Sequence, residues 1–323
     1  MKNNSYFKKI TFVVVILILL IITVFLYSKS KEQPVQENFQ EINNLSIAYS
    51  EKGLKNAVEN NYIENFNNNY SYSNEIGCKV NSFILSDNDF IMTFDFDFSK
   101  HPVSVNNLVS SIIIYDENKN IYCDSISSVS QNYSKYVNDF FAKNNLSKEK
   151  SLSEISSNYF TLYQTKNNAT IALRRTGSLT QFGKPEKLYV NIHGIGYIDD
   201  LNSFKSLYDD INWNLEIDVP EKFTNRSNLE FSLAENVEGF EFKDFYVTDT
   251  SSNLFYSTEN DFLNVYIVDD NNNEYSHYSK SYSDVENHIL CNEYAFNKNM
   301  VTNKLYLKIV NGSDTKIVEL IQK

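Results

Sequence analysis

The sequence predicts a mainly β protein: two tandem antiparallel β-sandwich domains with short helical insertions, behind an N-terminal transmembrane helix. Three observations predict it. Tyr and Phe number 23 each, while Gly (8) and Pro (4) are scarce, a composition that suits pleated, half-buried strands. From Lys79 onward apolar residues alternate with period two over most of the chain. Residues 10–27, ITFVVVILILLIITVFLY, form a run of 18 without a charge.

Taken in order, residues 1–9 are a short basic stub carrying Lys2, Lys8 and Lys9 and no acid. The run at 10–27 makes a helix of about 27 Å, enough to span a hydrocarbon core. A cleaved signal peptide is the rival. Its apolar core is usually shorter and ends in a small-x-small site; here the nearest candidate is Ser28-Lys29-Ser30, and no lipobox cysteine follows. An uncleaved single-pass anchor is expected, with the N-terminus cytoplasmic and the rest extracellular. Residues 28–44, polar and containing Pro34, read as a linker.

The first domain is placed at residues 45–220. Leu54, Val58, Tyr62 and Phe66 recur at i+4, with Ser50 as N-cap, so a helix of about four turns is expected there, packed on its own domain. In KVNSFILSDNDFIMTFDFDF, apolar runs flank the turn Asp87-Asn88-Asp89. Phe94, Phe96 and Phe98 then alternate with Asp95 and Asp97, one face aromatic and the other acidic. SIIIYDENKNIYCD predicts a second hairpin with its tip at Asp116 to Asn120. Residues 130–165 break the pattern: Tyr136, Val137, Phe140 and Phe141 suit a short helix, and Ser151-Leu152-Ser153-Glu154 resembles a capping box. Strands resume with TIALRR, KLYVNIHGIGY and WNLEIDVP, and Pro220 marks the boundary.

The second domain, residues 221–323, repeats the plan. NVYIVDDNNNEYSHY matches IIIYDENKNIYCD, and KLYLKIVNGS matches KLYVNIHGIG. The order is the same in both halves, except that the first carries a helical insertion before its KLY strand.

The net charge is −12; beyond the stub, 26 basic and 41 acidic residues leave −15. Such a surface repels phosphate backbones, so nucleic acid is not expected as a partner. Cys78, Cys123 and Cys291 lie far apart with no CxxC or Cys/His spacing, which gives no zinc site. A Cys78–Cys123 pair and three buried thiols are the two readings, the second preferred.

No motif for catalysis stands out. His101, His193, His277 and His288 include no pair at i, i+4, and there is no HExxH, GxSxG or glycine-rich phosphate loop. Gly194-Ile195-Gly196 lies in a strand. The acidic pairs Asp199-Asp200, Asp209-Asp210 and Asp269-Asp270 suit turns. The run from Asp269 to Glu274 resembles a calcium loop, but Glu274 stands where Gly is needed and Lys280 where the bidentate Glu belongs, so a hairpin tip is expected. No catalytic, cofactor-binding or metal-ligating residue is assigned, and no cofactor.

GLKNAVENNYIENF, VNSFILSDNDFIMTFDFDF, YDENKNIYC, FGKPEKLYVNI and IDVPEKFTNR occur in an order that resembles a Firmicutes family of extracytoplasmic domains of unknown function. That family is common in clostridia and often encoded beside extracytoplasmic-function sigma factors. The resemblance covers roughly residues 45–323. It implies Ig-like sandwiches outside a single membrane helix and a link to envelope signalling, and it carries over no site residues. Relatives with longer cytoplasmic segments can engage a sigma factor; about nine residues are fewer than three helical turns, so direct sequestration by this chain is not expected.

The expected function is therefore a membrane-anchored, non-enzymatic sensor or interaction module whose partners are the membrane and an envelope protein or cell-wall polymer. A cell-wall glycan-binding or structural module is the alternative, and a divergent hydrolase the third.

Overall fold

A computed structural model describes residues 52–323, apart from 106–107, 126–130, 148–156, 177–178, 180–182, 200, 202 and 261–262. The stub, the apolar run, the linker, Ser50 and the capping box at Ser151 lie outside the described residues. Among the described residues no helix is long and apolar enough to cross a membrane.

The fold is mainly antiparallel β. In the first half, one sheet runs β1 (Glu64–Asn65), β3 (Ile76–Leu85), β4 (Asp89–Asp97), β8 (Asn168–Thr176), β7 (Ser157–Gln164), with β2 (Ser71–Ser73) paired to β3. A second sheet runs β10 (Phe204–Asp218), β9 (Lys187–Ile198), β5 (Leu108–Asp116), β6 (Ile121–Ser125). The shared core contains Phe94, Phe96 and Phe98, as the alternation predicts, with Ile112, Ile114, Val190, Ile192 and Trp213. Each such side chain contributes about 1.5–3 kcal/mol on burial. Trp213 meets Phe96 edge-on at 5.7 Å and donates its Nε1 hydrogen to the Ile76 carbonyl at 3.2 Å. A buried indole N–H needs such a partner.

Two helices cover the outer faces. Helix α1 (Lys52–Glu59) sets Leu54 against Ile84, Ile91 and Ala172. It is half the expected length. Asn61 takes a left-handed φ of 63°; Tyr62 N bonds the Ala57 carbonyl at 2.9 Å and Asn61 N that of Val58 at 3.0 Å. This is a Schellman stop, which Asn tolerates without the penalty of a bulkier residue. Tyr62 and Phe66 still pack on the core from beyond it. Helix α2 (Gln131–Asn144) seats Val137 and Phe141 on Ile113, Tyr115 and Ile121 of the other sheet.

The second half comprises β11 (Leu229–Leu233), β12 (Phe240–Val247), β13 (Ser252–Thr258), β14 (Asn264–Asp269), β15 (Glu274–Asp284), β16 (Ile289–Tyr294), β17 (Leu305–Asn311) and β18 (Asp314–Gln322). They close in a ring, β11-β12-β13-β16-β15-β14-β17-β18. This differs from the two open sheets expected. The reason is β15: its start pairs with β14 at Val268↔Glu274, and the rest crosses to β16, from His277↔Tyr294 to Asp284↔Ile289. β11 joins β18 on the other side.

The two halves are the same plan built twice. β3, β4, β5, β6, β9 and β10 pair as β12, β13, β14, β15, β17 and β18 do, and β8 stands where β16 stands. The register agrees: Asp116 faces Leu188 and Asp269 faces Leu305, each the leucine of a Lys-Leu-Tyr. The hairpin tips agree in atoms. Asp116 Oδ1 accepts the backbone N–H of Asn118 (2.9 Å) and Asn120 (2.8 Å). Asp269 Oδ1 accepts those of Asn271 (2.9 Å) and Asn273 (2.8 Å). The crossing strand differs. β15 is continuous, whereas the first half splits it into β6 and β7 and inserts α2 between them.

The β3–β4 and β12–β13 turns, equivalent in the two copies, meet each other. Ser86 Oγ lies 2.7 Å from Thr250 Oγ1, Asn88 Nδ2 donates to Ser251 Oγ at 3.0 Å, and Asn253 Nδ2 and Tyr246 OH donate to Asn88 Oδ1 at 3.0 and 3.1 Å. Thr250 Oγ1 donates to Asp89 Oδ2 at 2.5 Å, and Asp89 Oδ1 pairs with Arg174 at 3.0 Å. The linking segment is tied to the same turn: Arg226 Nε bonds Asp87 Oδ1 at 2.6 Å and Asn228 bonds Asp87 Oδ2 at 2.7 Å. A Cβ on Gly53 would lie 2.4 Å from the Thr250 carbonyl oxygen, so only glycine lets α1 approach there.

Asp89 and Arg174 are only 1% and 5% exposed. Removing one partner strands the other charge in the interior. Asp89→Ala is expected to cost on the order of 3–5 kcal/mol in urea unfolding; a loss below about 1 kcal/mol would mean the pair is solvated.

Candidate functional site

A fold built twice in one chain supplies its own control. What one copy has and the other lacks is not demanded by the fold. The largest such difference is α2 and the polar residues beneath it on β9 and β10.

Asn191 lies opposite Asn214, and His193 opposite Asn212. Asn191 is 1% exposed. Its Nδ2 donates to Asn212 Oδ1 at 2.7 Å and to Asn214 Oδ1 at 2.9 Å. Its Oδ1 accepts from the Tyr136 hydroxyl at 2.9 Å. Tyr136 adjoins Val137, so seating that side chain on the sheet lays the phenol ring over His193, with centroids 3.5 Å apart and planes 5° from parallel. Register shifts flank His193 on both neighbours, between Val109 and Ser111 and between Tyr208 and Asn212. Bulges of this kind re-aim side chains. Gly196 belongs to the same irregularity, since a Cβ there would meet the Lys205 carbonyl at 2.5 Å.

In the second copy the equivalent positions, counted from Leu188↔Ile217 and Leu305↔Leu320, are Lys308, Val310, Thr315 and Ile317. Lys308 makes a surface ion pair with Glu274 at 2.5 Å. The same strand pair thus forms without any amide cluster.

Burial lowers the His193 pKa, partly opposed by Asp209, Asp210 and a hydrogen bond to the Ile211 backbone. Burial also raises the Tyr136 pKa. His193 is therefore a neutral ring against a neutral phenol near pH 7. The cluster can hold and orient hydrogen-bonding groups.

The other residues weighed from sequence lie apart from it. His101 pairs with Glu75 at 3.3 Å on the surface. His277 is half-buried against Tyr294, and His288 is exposed at a turn with φ 51°. Asp209 and Asp210 are exposed beside His193; of Asp199-Asp200 only Asp199 is among the described residues. Asp269 is spent inside its hairpin tip, where Asn273 and Tyr275 also bond its Oδ2 at 2.8 and 3.2 Å. Burial works against its charge, but these bonds prevail and hold its pKa low. The tip is a turn, as the failed calcium pattern predicts. Among the described residues no three His, Cys, Asp or Glu side chains gather as a metal site. All three cysteines are buried; burial pushes Cys78 well up and Cys291 to about 12. A recess of about 890 Å³ at one end of the ring is lined by Leu233, Phe240, Phe242, Glu241, Glu259 and His288. Its ionisable groups are exposed, so none is pre-positioned.

From sequence Tyr136 reads as a helix residue, and Asn191, Asn212 and Asn214 carry no signal of their own, because Asn is abundant throughout. Aligning KLYVNIH with KLYLKIV residue by residue would have set Asn191 and His193 against Lys308 and Val310.

No family model matches the chain, and no curated protein does. Among solved structures, a conserved domain protein from Bacillus anthracis is similar at 13% identity over 81% of this chain and 90% of its own, with a TM-score of 0.42. Bovine butyrophilin is similar at 10% identity over 73% of this chain and 91% of its own, with a TM-score of 0.20.

His193 and His277 both have lowered pKa values, burial being the main cause. The folded state then binds fewer protons than the unfolded chain below the ordinary value of 6.5. Their contribution is complete above that pH and is lost as pH falls. The melting temperature is expected to drop from about pH 8 to about pH 5, and less steeply in His193→Asn. Parallel pH profiles for the two proteins would show that His193 takes up no extra proton on unfolding.

Proposed function

We propose that this chain is a single-pass, membrane-anchored extracytoplasmic module that senses or binds an envelope component without catalysing a reaction. The observation that carries the reading is the difference between the two copies. One copy keeps the plain strand pair, and the other has gained a helix and a buried amide that fix outward-facing polar groups. Pre-ordered surface groups favour binding because less freedom is lost when a partner arrives. The apolar run at 10–27 supports the anchor, with residues 1–9 cytoplasmic. The acidic surface beyond it supports a partner other than nucleic acid. An Ig-like character for the sandwich, and a link to envelope-stress signalling through a neighbouring sigma-factor pathway, rest on the family resemblance and belong to this proposal.

The test is crosslinking and affinity capture of the full-length, C-terminally tagged protein from its native cells, beside a form lacking residues 1–44. Capture of a membrane regulator or sigma-pathway protein only by the anchored form is the expected result. Hydrolysis of an envelope polymer by the purified protein, abolished by one point substitution, would overturn the non-enzymatic reading.

A further inference from the structure

Resting on the reading of the α2 face as the binding surface, we infer that the amide cluster of Asn191, Asn212 and Asn214 binds a neutral glycan chain.

Burying an amide is costly unless every polar atom is bonded. Asn191 meets that condition only by engaging three neighbours. The consequence lies at the surface. Asn212 and Asn214 are exposed, and both have Oδ1 occupied by Asn191, so each turns its Nδ2 hydrogens outward in a fixed direction. They are two residues apart on one strand, hence about 6.6 Å along it. The face thus presents two neutral donors on a rigid sheet.

The flanks define the ligand's charge. Asp209, Asp210 and Glu216 are exposed carboxylates on the same strand, and Lys187 already pairs with Glu216 and Asp218. A phosphate, sulfate or uronate would be repelled. A ligand that fits must offer uncharged acceptors to the two amides and donors to the carboxylates. Sugar hydroxyls do both. An extended peptide fits less well, because the β10 edge is occupied beside the cluster: the Asn212 N–H bonds Ser73 Oγ at 3.0 Å and Asn74 Nδ2 bonds the Asp210 carbonyl at 3.4 Å. Strand addition needs those groups open.

The test is co-sedimentation of the full-length protein, in mild detergent, with insoluble chitin and insoluble cellulose, and a pull-down on dextran sulfate as the anionic control. Asn212→Ala/Asn214→Ala removes both outward donors and also the two acceptors of the buried Asn191 Nδ2, so its folding is checked by circular dichroism beside the wild type; Thr315→Ala/Ile317→Ala makes the equivalent change in the second copy. The wild type and the second-copy variant are expected to bind at least one neutral polymer and not dextran sulfate. The first-copy variant is expected to bind it about tenfold more weakly. No sedimentation of the wild type with either neutral polymer, equal binding by the first-copy variant, or preference for dextran sulfate would overturn the inference. If glycan binding fails while capture of a membrane partner still depends on Asn212 and Asn214, the glycan assignment falls and the binding face stands. If neither depends on them, both fall.

Discussion

The structure depends on the contact between two turns that are equivalent in the two copies. Ser86 to Asp89 meets Thr248 to Ser251, and the groups exchanged are all polar and all buried. Such a contact is demanding in geometry. Each hydroxyl and amide must find its partner, or the cost of burying it is felt in full. Two halves joined through it have one relative orientation, unlike halves joined through an apolar patch that can slide. Arg226 extends the effect to the connecting segment: besides Asp87 it bonds the Phe223 and Gly183 carbonyls at 2.6 and 2.8 Å. Helix α1 joins through Asn297, whose Nδ2 donates to the Gly53 carbonyl at 2.8 Å.

Given that frame, the two copies differ in topology in two places: β11 joins β18 while β1 pairs only with β3 among the described strands, and the strand after the hairpin is whole in one copy and cut in the other. In the second, the strand that leaves the hairpin crosses whole from one sheet to the other and closes the ring. In the first, it is cut, and the inserted chain supplies α2. The helix covers Ile113, Tyr115 and Ile121 and brings Tyr136 to His193. A packing solution and a polar surface site arise from one insertion.

Much of this was legible in the sequence, and the reasons differ by element. The hairpin tips were readable because Asp-x-Asn-x-Asn satisfies its own turn whatever surrounds it. The Phe94, Phe96, Phe98 stripe was readable because period two maps directly onto one face of a strand. The duplication was readable from the order of the hairpins and the repeated Lys-Leu-Tyr. The end of α1 was not, because i+4 spacing continues through Tyr62 and Phe66 while Asn61 stops the helix by its backbone. Ring closure was not, because a strand that changes partners midway has the same alternation as one that does not. The contact between the turns was hidden because Asp-Asn-Asp suits an exposed turn equally well. The amide cluster was hidden because its meaning lies in register, where Asn191 faces Asn214, and not in spacing along the chain.

The central claim, that the turn contact makes the two copies one cooperative body, is tested most directly by urea unfolding with two probes. Trp213 is the only tryptophan and lies in the core of the first copy, so its fluorescence reports that copy alone. Far-UV circular dichroism reports the strands of both. The account predicts superimposable transitions with one midpoint. Two separated transitions, with Trp213 following only one of them, would show that the copies unfold independently and that the buried polar contact does not couple them.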